Sequence, residues 1–193
     1  YRAFVARYGG DAEVVQVRKD VDRTPPEFAG VRDAMFRILT LWAARHPASG
    51  YVQGLHDILA AFVRVYFPRG PAGFVPDADA EVDAYDSFAA FLQPVQDFFT
   101  TDQPRLFATL ARLEALLRLA RPALAAHFDE IGLTTLNYAF RWLNCCFLRE
   151  FTAEQGLRLF DTFVAEPSGF AELALFLCAA LLAALEPDLL PLD

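Results

Sequence analysis

Two short polar segments interrupt a chain that is otherwise rich in alanine, leucine and phenylalanine. The first is VQVRKDVDRTPPEF (15–28), in which Asp20 lies three residues before Arg23. At that spacing the carboxylate can hold the guanidinium through a charge-assisted hydrogen bond. Because a pair of prolines follows shortly after Arg23, we predict that this arginine lies in a loop or turn.

The second segment, ASGYVQGLHD (48–57), holds Tyr51 and Gln53 between two glycines. The His-Pro pair before it breaks the preceding helical pattern, so both residues are predicted to lie at the start of the next helix. Side chains at such a place can be presented to a partner. Helix N-termini also carry partial positive charge and free N–H groups, which suit anions.

Each segment also has a plain structural explanation. Arg23 and Asp20 could form an ordinary surface ion pair, which contributes little to stability. Gln53 could be a solvated residue in the first turn of a helix. The two segments together, and in this order, favour a functional interpretation.

Composition and charge exclude several classes of protein. The 193 residues are enough for one domain with a sizeable core, and an apolar content of 55% argues against disorder. The net charge of −8 argues against nucleic-acid binding, because an acidic surface repels a phosphate backbone. The cysteines lack CxxC spacing, so we predict packed thiols in a reducing compartment, without a disulfide framework or a metal site. Those cysteines are Cys145, Cys146 and Cys178.

Apolar residues recur at helical spacing almost throughout the chain and β-branched residues are sparse, which predicts an all-α fold. Pro94 is predicted to kink the helix in which it lies. A capping box from Thr152 to Gln155 predicts a helix through about Val164, and Pro167 is predicted to open the last helix. The predicted core faces are Val31, Met35, Ile38 and Trp42; Phe88, Leu92, Val95 and Phe99; Leu106, Leu110, Leu113 and Leu117; and Leu136, Phe140, Leu143 and Phe147.

A polar loop rich in proline and glycine, 68–79, divides the predicted helices into two groups. We predict an N-terminal helical part over about 1–67 and a C-terminal part over about 81–193, within one domain that has no sheet. No repeat of fixed period occurs, which argues against a helical solenoid. The longest apolar run, 170–185, is shorter than the roughly 20 residues of a membrane span, so it is interpreted as a buried core helix.

The two polar segments resemble, in order, the motifs of a known family. VRKDVDRT (17–24) resembles the IxxDxxRT motif of TBC domains, the GTPase-activating domains for Rab GTPases, and YVQGL (51–55) resembles their YxQGM motif. The spacing between the two is that expected for the family. The stretches WAARHPASGYVQG and EPSGF are closest to its TBC-twenty-two-like branch.

The resemblance covers nearly the whole chain and continues through FRW (140–142), LREF (148–151) and RLFD (158–161). One departure is His56, which stands where the family usually has asparagine and which bears on a turn or a partner contact. The family's opening Arg/Trp motif is absent and the chain stops soon after Pro191, so we expect the domain to be truncated at both ends.

Some residues in these later stretches receive structural interpretations. Arg141, Glu150 and Asp161 lie beside apolar neighbours and are predicted to form interhelix pairs or to be surface charges. Trp42 and Trp142 are predicted to lie in the core. The histidines lie far apart in the sequence, so they are interpreted as ordinary surface or core residues rather than ligands.

The resemblance implies a multi-helix TBC domain with two helical subdomains that accelerates GTP hydrolysis by a Rab GTPase in its GTP form. It implies that Arg23 is an arginine finger, which stabilises charge on the transferring phosphoryl group, and that Gln53 is a glutamine finger, which positions the attacking water. Arginine suits the first role because its planar fork can span two oxygens. Asp20 is implied to orient Arg23, and Tyr51 to pack on the GTPase. The further partner-binding or orienting residues implied by the motifs are Thr24, Gly54 and Asp57.

The chain has no GxxxxGK[ST] motif, which fits an activator rather than an enzyme with a nucleotide site of its own. The resemblance implies that it has no cofactor of its own and acts on the GTP and Mg²⁺ bound to the partner. The resemblance implies a role in vesicle traffic and a cytoplasmic protein that is peripheral on endomembranes, held by its partner or by flanking segments and not by a transmembrane segment.

Two other functions remain as alternatives. The first is a non-catalytic TBC scaffold that binds a GTPase or another partner, since fold does not fix function. The presence of both Arg23 and Gln53 weighs against it, because a scaffold need not keep both. The second is an unrelated membrane-associated helical module, which would need a basic amphipathic face that this acidic chain lacks.

A shared site constrains how the chain runs between the two motifs. The TPPE sequence after Arg23 has the pattern of a capping box with proline at the first helical position. A straight helix over 25–45 would hold its ends about 30 Å apart, too far for Arg23 and Gln53 to reach one phosphate. We therefore predict that residues 24–30 form an extended or irregular return segment, and that the helix begins near Gly30.

Overall fold

The structure is a computed structural model that describes residues 12–100 and 102–192. In this part of the chain the fold is almost entirely helical, which confirms the all-α prediction. The α-helices are α1 (Ala12–Asp22), α2 (Arg32–Arg45), α3 (Leu55–Tyr66), α4 (Ala78–Leu92), α5 (Pro104–Ala120), α6 (Pro122–Glu130), α7 (Thr135–Asn144), α8 (Ala153–Ala165) and α9 (Phe170–Leu189). The first 3-10 helix is Pro26–Val31 and the second is Gln93–Phe98, and the strands are β1 (Arg69–Gly70) and β2 (Gly73–Phe74).

The chain forms two compact units, 1–102 and 103–193. The first unit contains α1 to α4, and the second contains α5 to α9. The sequence placed α4 with the later helices, but α4 packs against α3 and α2. Its Phe88 makes edge contacts with Trp42 on α2 and Phe62 on α3, at centroid distances of 5.6 Å and 6.2 Å. The polar loop therefore joins two helices that share one core.

The core of the first unit follows the apolar periodicity of the sequence. Both faces predicted for this unit, the one on α2 and the one on either side of Pro94, are buried. Helix α4 ends at Leu92, and Pro94 lies in the second 3-10 helix, where Val95 has non-helical dihedral angles. The predicted kink at Pro94 is therefore confirmed, as a change from α-helix to 3-10 helix.

Within the described residues, the predicted polar loop contains the only strands. β1 and β2 form a short antiparallel pair. Phe74 of β2 is buried, and its ring lies 5.1 Å from that of Phe28 in the first 3-10 helix. Gly73 has a φ of +125°, and a Cβ there would lie 2.8 Å from the Cα and carbonyl carbon of Glu27. The hairpin and the first 3-10 helix therefore touch backbone to backbone.

The core of the second unit is built on α5. The face predicted on this helix, from Leu106 to Leu117, is at most 3% exposed. The face predicted from Leu136 to Phe147 is wrong in part, because Leu136 is 50% exposed and α7 ends at Asn144. Leu136 lies in the first turn of α7, where periodicity cannot tell whether a neighbouring helix extends far enough to cover it.

The two helix starts predicted near the end of the chain have opposite outcomes. Thr152 and Gln155 form the predicted capping box, and α8 follows it. Pro167 does not open α9, which begins only after Gly169. The carboxylate of Glu166 accepts a hydrogen bond from the backbone N–H of Ser168 at 3.0 Å, so Pro167 lies in a turn rather than in a helix.

Helix α9 has 20 residues and includes the longest apolar run of the sequence. By length and composition it could cross a membrane, but the core helix of a folded domain passes the same test. It packs against α5, α7 and α8, and Arg112 of α5 forms two hydrogen bonds with Glu172 of α9, at 2.6 Å and 2.8 Å. These contacts attach one face of α9 to the second unit, but only 33% of its most apolar stretch is buried, so the prediction of a buried core helix is confirmed for that face alone.

The remaining structural predictions concern thiols, tryptophans and charges. Trp42 is buried, as predicted, whereas Trp142 is only half-buried. Arg141 donates to Glu150 at 2.7 Å and 2.9 Å, and Asp161 is exposed on α8. The predicted packed thiols are confirmed, since the three cysteines are buried and free of disulfides. They are Cys145, Cys146 and Cys178.

Candidate functional site

Arg23 lies in a turn directly after the last residue of α1, as the following prolines predicted. Its Nη2 donates a hydrogen bond to Oδ1 of Asp20. The side chain of Asp20 is fully buried, whereas that of Arg23 is 60% exposed. A guanidinium has five N–H donors in a rigid fork, so Asp20 can hold one edge while other donors meet solvent or a ligand.

The second polar segment reaches the same carboxylate. The hydroxyl of Tyr51 donates to Oδ2 of Asp20 at 2.8 Å. A buried carboxylate is costly unless it is paired and hydrogen-bonded, and here each of its oxygens is used by a different segment. Tyr51 lies two residues before Gln53, so the fold joins the two predicted motifs at one buried carboxylate.

Thr24 fixes the turn that follows Arg23. Its hydroxyl donates to the carbonyl oxygen of Val21 at 2.7 Å. Arg32, the first residue of α2, donates to the carbonyl oxygen of Thr24 at 2.6 Å and to its Oγ1 at 3.3 Å. Since Thr24 is only 6% exposed, these contacts orient the turn from within the first unit.

The chain between the motifs does not form the straight helix that the TPPE pattern suggested. No side chain caps the first 3-10 helix, because the hydroxyl of Thr24 bonds back to α1. Pro25 is extended, with φ −48° and ψ 153°, and α2 begins only at Arg32, two residues after Gly30. The prediction that no straight helix spans 25–45 is confirmed, but most of the segment predicted to be extended or irregular is a 3-10 helix.

The backbone before Gln53 is held by α1. The carboxylate of Glu13 accepts a hydrogen bond from the backbone N–H of Tyr51. Gly50, one residue earlier, has a φ of +57°, and a Cβ there would meet the same carboxylate. A side chain at this position would be strained and would also push Glu13 away from the loop.

The start of the same loop is tied to other elements. The ring of His46 stacks on Trp42 at a centroid distance of 3.6 Å. Gln96 of the second 3-10 helix donates to Oγ of Ser49 at 3.0 Å. The loop that leads to Gln53 is therefore anchored to α1, α2 and the second 3-10 helix.

Gln53 lies exposed in the turn just before α3, not in the first turn of the helix. Gly54 is the N-cap of α3, with a φ of +114°, and its carbonyl oxygen accepts from the N–H of Asp57 at 3.0 Å. The carboxylate of Asp57 lies 3.5 Å from Nε2 of the buried His56. Gln53 is thus presented to solvent, while Gly54 and Asp57 build the helix start behind it.

Three residues of the site were not singled out as candidates from the sequence: Glu13, Arg32 and His56. Glu13 and Arg32 are charged residues whose spacing from the motifs carries no distinctive pattern. His56 did carry a signal, because it departs from the asparagine usual in the resembling family. Together with the predicted residues they hold the turn of Arg23 and the loop that leads to Gln53. The exposed guanidinium and the exposed amide can each donate hydrogen bonds to an anion. Among residues 12–100 and 102–192, no group of acidic, histidine and cysteine side chains could hold a metal ion.

Comparison with known families decides the classification. The model of the Rab-GTPase-TBC domain matches residues 8–190. The chain belongs to the Rab-GTPase-TBC domain family. Several curated TBC relatives lie in the branch that the sequence indicated: GTPase-activating protein gyp1 of Schizosaccharomyces pombe is 34% identical over 86% of this chain and 36% of the relative. Human TBC1 domain family member 22B is 33% identical over 86% of this chain and 36% of the relative.

A solved TBC structure has the same fold. The crystal structure of the Ypt/Rab-GAP domain of Gyp1p superposes with a TM-score of 0.86 at 31% identity, and the match covers 94% of this chain and 63% of that one. The chain spans about a third of the length of the curated relatives it matches. The TBC family and fold are therefore shown for this chain.

Proposed function

We propose that this TBC domain is a GTPase-activating protein for a Rab-family GTPase, to which it supplies Arg23 and Gln53 in trans. The observation that carries the proposal is the bridge made by Asp20, which bonds Arg23 with one oxygen and Tyr51 with the other. This bridge brings an exposed arginine and the loop of an exposed glutamine to one place. Two of the relatives are GTPase-activating proteins, which supports the same activity for this chain.

The proposed chemistry follows from what GTP hydrolysis requires. Negative charge develops on the transferring phosphoryl group, and an arginine supplied in trans lowers the barrier enough for an acceleration of roughly 10³–10⁵-fold. The 60% exposed side chain of Arg23 can enter a partner's nucleotide site while Asp20 holds its other edge. The amide of Gln53 has both a donor and an acceptor, so it can orient the attacking water. Tyr51 links the two, because its hydroxyl bonds the aspartate that holds Arg23 and it lies two residues before Gln53.

The GTP and the Mg²⁺ belong to the partner in this proposal, and the domain contributes side chains only. We place the activity in the cytoplasm, at the surface of endomembranes, in the control of vesicle traffic. The GTP-bound partner or flanking segments hold the domain there. The net charge of −8 supports a protein partner over a nucleic acid.

Single-turnover GTP hydrolysis over a panel of Rab GTPases tests the proposal. The wild-type domain is expected to accelerate one or a few of them. Arg23→Ala should remove most of the acceleration, roughly 10³-fold, because it removes the charge at the phosphoryl group. Gln53→Ala should also slow turnover, by an amount that depends on whether the partner's own glutamine can position the water. Arg23→Lys should remain impaired, because an ammonium lacks the planar fork.

Arg158→Ala is the matched control, because Arg158 is another exposed arginine, placed on α8 with Thr162 as its partner. It should accelerate hydrolysis like the wild type. If the folded wild-type domain binds a Rab but accelerates none, the non-catalytic scaffold becomes the better interpretation. If Arg23→Ala keeps full acceleration, the assignment of the arginine finger is wrong.

A further inference from the structure

His56 is buried beneath the candidate site. It lies in the first turn of α3 and is 5% exposed. Its Nδ1 lies 3.2 Å from the hydroxyl oxygen of Tyr51, and its Nε2 lies 3.5 Å from Oδ2 of Asp57. The contacts form a chain that runs from the imidazole through Tyr51 and Asp20 to Arg23.

We propose that His56 is a positioning residue for GTPase activation, an inference that rests on the proposed function. Its Nδ1–H donates to the hydroxyl oxygen of Tyr51 and thereby directs the hydroxyl proton of Tyr51 to Asp20. The buried carboxylate then keeps the orientation in which it holds Arg23. His56 itself does not touch the GTPase.

Counting protons fixes the direction of this hydrogen-bond chain. The tyrosine hydroxyl has one hydrogen, and the carboxylate oxygen of Asp20 at 2.8 Å can only accept it. The lone pairs of the same hydroxyl oxygen can then only accept from Nδ1 of His56, so that nitrogen carries a proton.

The competing tautomer carries its proton on Nε2 alone and donates to Asp57. In that form Nδ1 would present a lone pair to Tyr51, and the hydroxyl proton would have to turn away from Asp20 towards the imidazole. The distances favour the first arrangement, since 2.8 Å is a short O–H···O contact whereas 3.5 Å lies beyond an ordinary N–H···O bond.

This hydrogen-bond chain matters because Asp20 is fully buried, so the groups that bond its carboxylate set its orientation. Its Oδ2 accepts from the hydroxyl of Tyr51, and a donor to the same hydroxyl oxygen polarises that hydroxyl and strengthens its bond to Asp20. His56 supplies that donor. Loss of the donor weakens the bond from Tyr51 to Asp20, and the pair of Asp20 and Arg23 is then held less firmly.

Three variants of His56 separate hydrogen bonding from packing. His56→Asn places an amide N–H where Nδ1 was, so it should retain acceleration within about twofold. His56→Leu fills similar volume without a donor and should lower the maximal accelerated rate about tenfold, the value of one hydrogen bond. His56→Gln, which reaches only the Nε2 position, should behave like His56→Leu and serves if the leucine variant does not fold. The Rab concentration at half-maximal rate should stay unchanged in all three.

The matched control is His127→Asn, which replaces a histidine on α6 of the second unit and should leave the rate unchanged. If His56→Leu or His56→Gln is as active as the wild type while Arg23→Ala is inactive, the role of His56 is refuted and the proposed function stands. If His56→Asn is as impaired as His56→Leu, packing rather than the donor is responsible, and the inference fails.

The tautomer can be measured without any GTPase. Long-range ¹H–¹⁵N correlation spectra of the domain should show a protonated Nδ1 for His56, and a proton on Nε2 alone would refute the inference. A wild-type domain that accelerates no Rab would instead remove the proposed function, and the positioning role for activation would fall with it.

Discussion

Asp20 is the residue on which both polar segments converge, because its two carboxylate oxygens bond Arg23 and Tyr51. The spacing of Asp20 and Arg23 by three residues predicted their hydrogen bond, because residues at that spacing lie close in a helix or turn. The hydroxyl of Tyr51 reaches Asp20 through tertiary structure, which no local pattern in the sequence specifies. The roles of Arg23 and Gln53 in catalysis remain predictions from the family motifs.

At this scale Asp20→Asn provides a test of how Arg23 is held. The amide keeps the shape of the carboxylate but loses its charge, and a charge-assisted hydrogen bond is about twice as strong as a neutral one. We expect the accelerated rate of Rab GTP hydrolysis to fall about tenfold. Stability should fall by about 1–3 kcal/mol, because one buried oxygen becomes an NH2 group and either Arg23 or Tyr51 loses its acceptor.

Asp161→Asn is the control, since Asp161 is an exposed aspartate on α8. Its rate and its urea unfolding midpoint should match the wild type. An Asp20→Asn domain with full acceleration would show that Arg23 needs no carboxylate to hold it.

The sequence predicted the secondary-structure elements that have a local motif, such as a capping box. It did not predict the elements that are stabilised by contacts with residues far away in the sequence. The capping box of Thr152 and Gln155 spans only four residues, and it correctly predicted where α8 begins. The hairpin of β1 and β2 has two residues in each strand, too few for an alternating pattern to show. The TPPE pattern signalled a cap that Thr24 does not make, because its hydroxyl bonds to Val21 instead.

The contact between β2 and the first 3-10 helix predicts the effect of Gly73→Ala. A Cβ at Gly73 would meet the Glu27 backbone, and its φ of +125° is one that residues with side chains rarely adopt. We expect the free energy of unfolding to fall by more than about 2 kcal/mol. Gly132→Ala is the matched control, because Gly132 also has positive φ, +70°, but has nothing within 4 Å of a Cβ. It should lose only about 1 kcal/mol.

Urea unfolding of the two variants measures the difference. Equal losses would mean that backbone strain alone, and not the contact with Glu27, sets the cost at Gly73. A Gly73→Ala domain should also lose GTPase activation, since the first 3-10 helix follows the turn that holds Arg23.

For the whole molecule, composition and periodicity predicted the helical class and most of the core, since burial of apolar faces decides both. The division of the chain could not be predicted in the same way. Proline and glycine in the loop 68–79 mark where the chain turns, but they do not show which helices pack together afterwards. Helix α4 lies after that loop and yet belongs to the first unit, through the contacts of Phe88.

The second unit has a pH dependence at the alkaline end. Burial raises the pKa of Cys178 from 9.0 to about 12, and burial with the nearby Glu114 raises the pKa of Tyr138 from 10.0 to about 12. Between about pH 9 and 12 the folded protein therefore binds more protons than the unfolded chain, so stability falls as the pH rises. Above pH 9 the thiol of Cys178 should lower the free energy of unfolding by about 1.4 kcal/mol for each pH unit. At pH 10.5 the loss relative to pH 8 should be about 2 kcal/mol.

Urea unfolding at pH 8 and pH 10.5 measures this loss. Cys178→Ala should show a smaller fall between the two pH values, whatever its stability at pH 8. An identical fall in the variant would place the alkaline sensitivity elsewhere, with Tyr138→Phe as the next variant to compare.

The close backbone contact between β2 and the first 3-10 helix also limits which substitutions this sequence can tolerate. A Cβ at Gly30 would lie 2.5 Å from the carbonyl oxygen of Phe74, just as one at Gly73 would meet the backbone of Glu27. The backbone of β2 therefore excludes a side chain at Gly30, and the backbone of the 3-10 helix excludes one at Gly73. Replacing either glycine alone would push the 3-10 helix and β2 apart. We therefore expect relatives to have both glycines, or to lack both where the hairpin has a different structure.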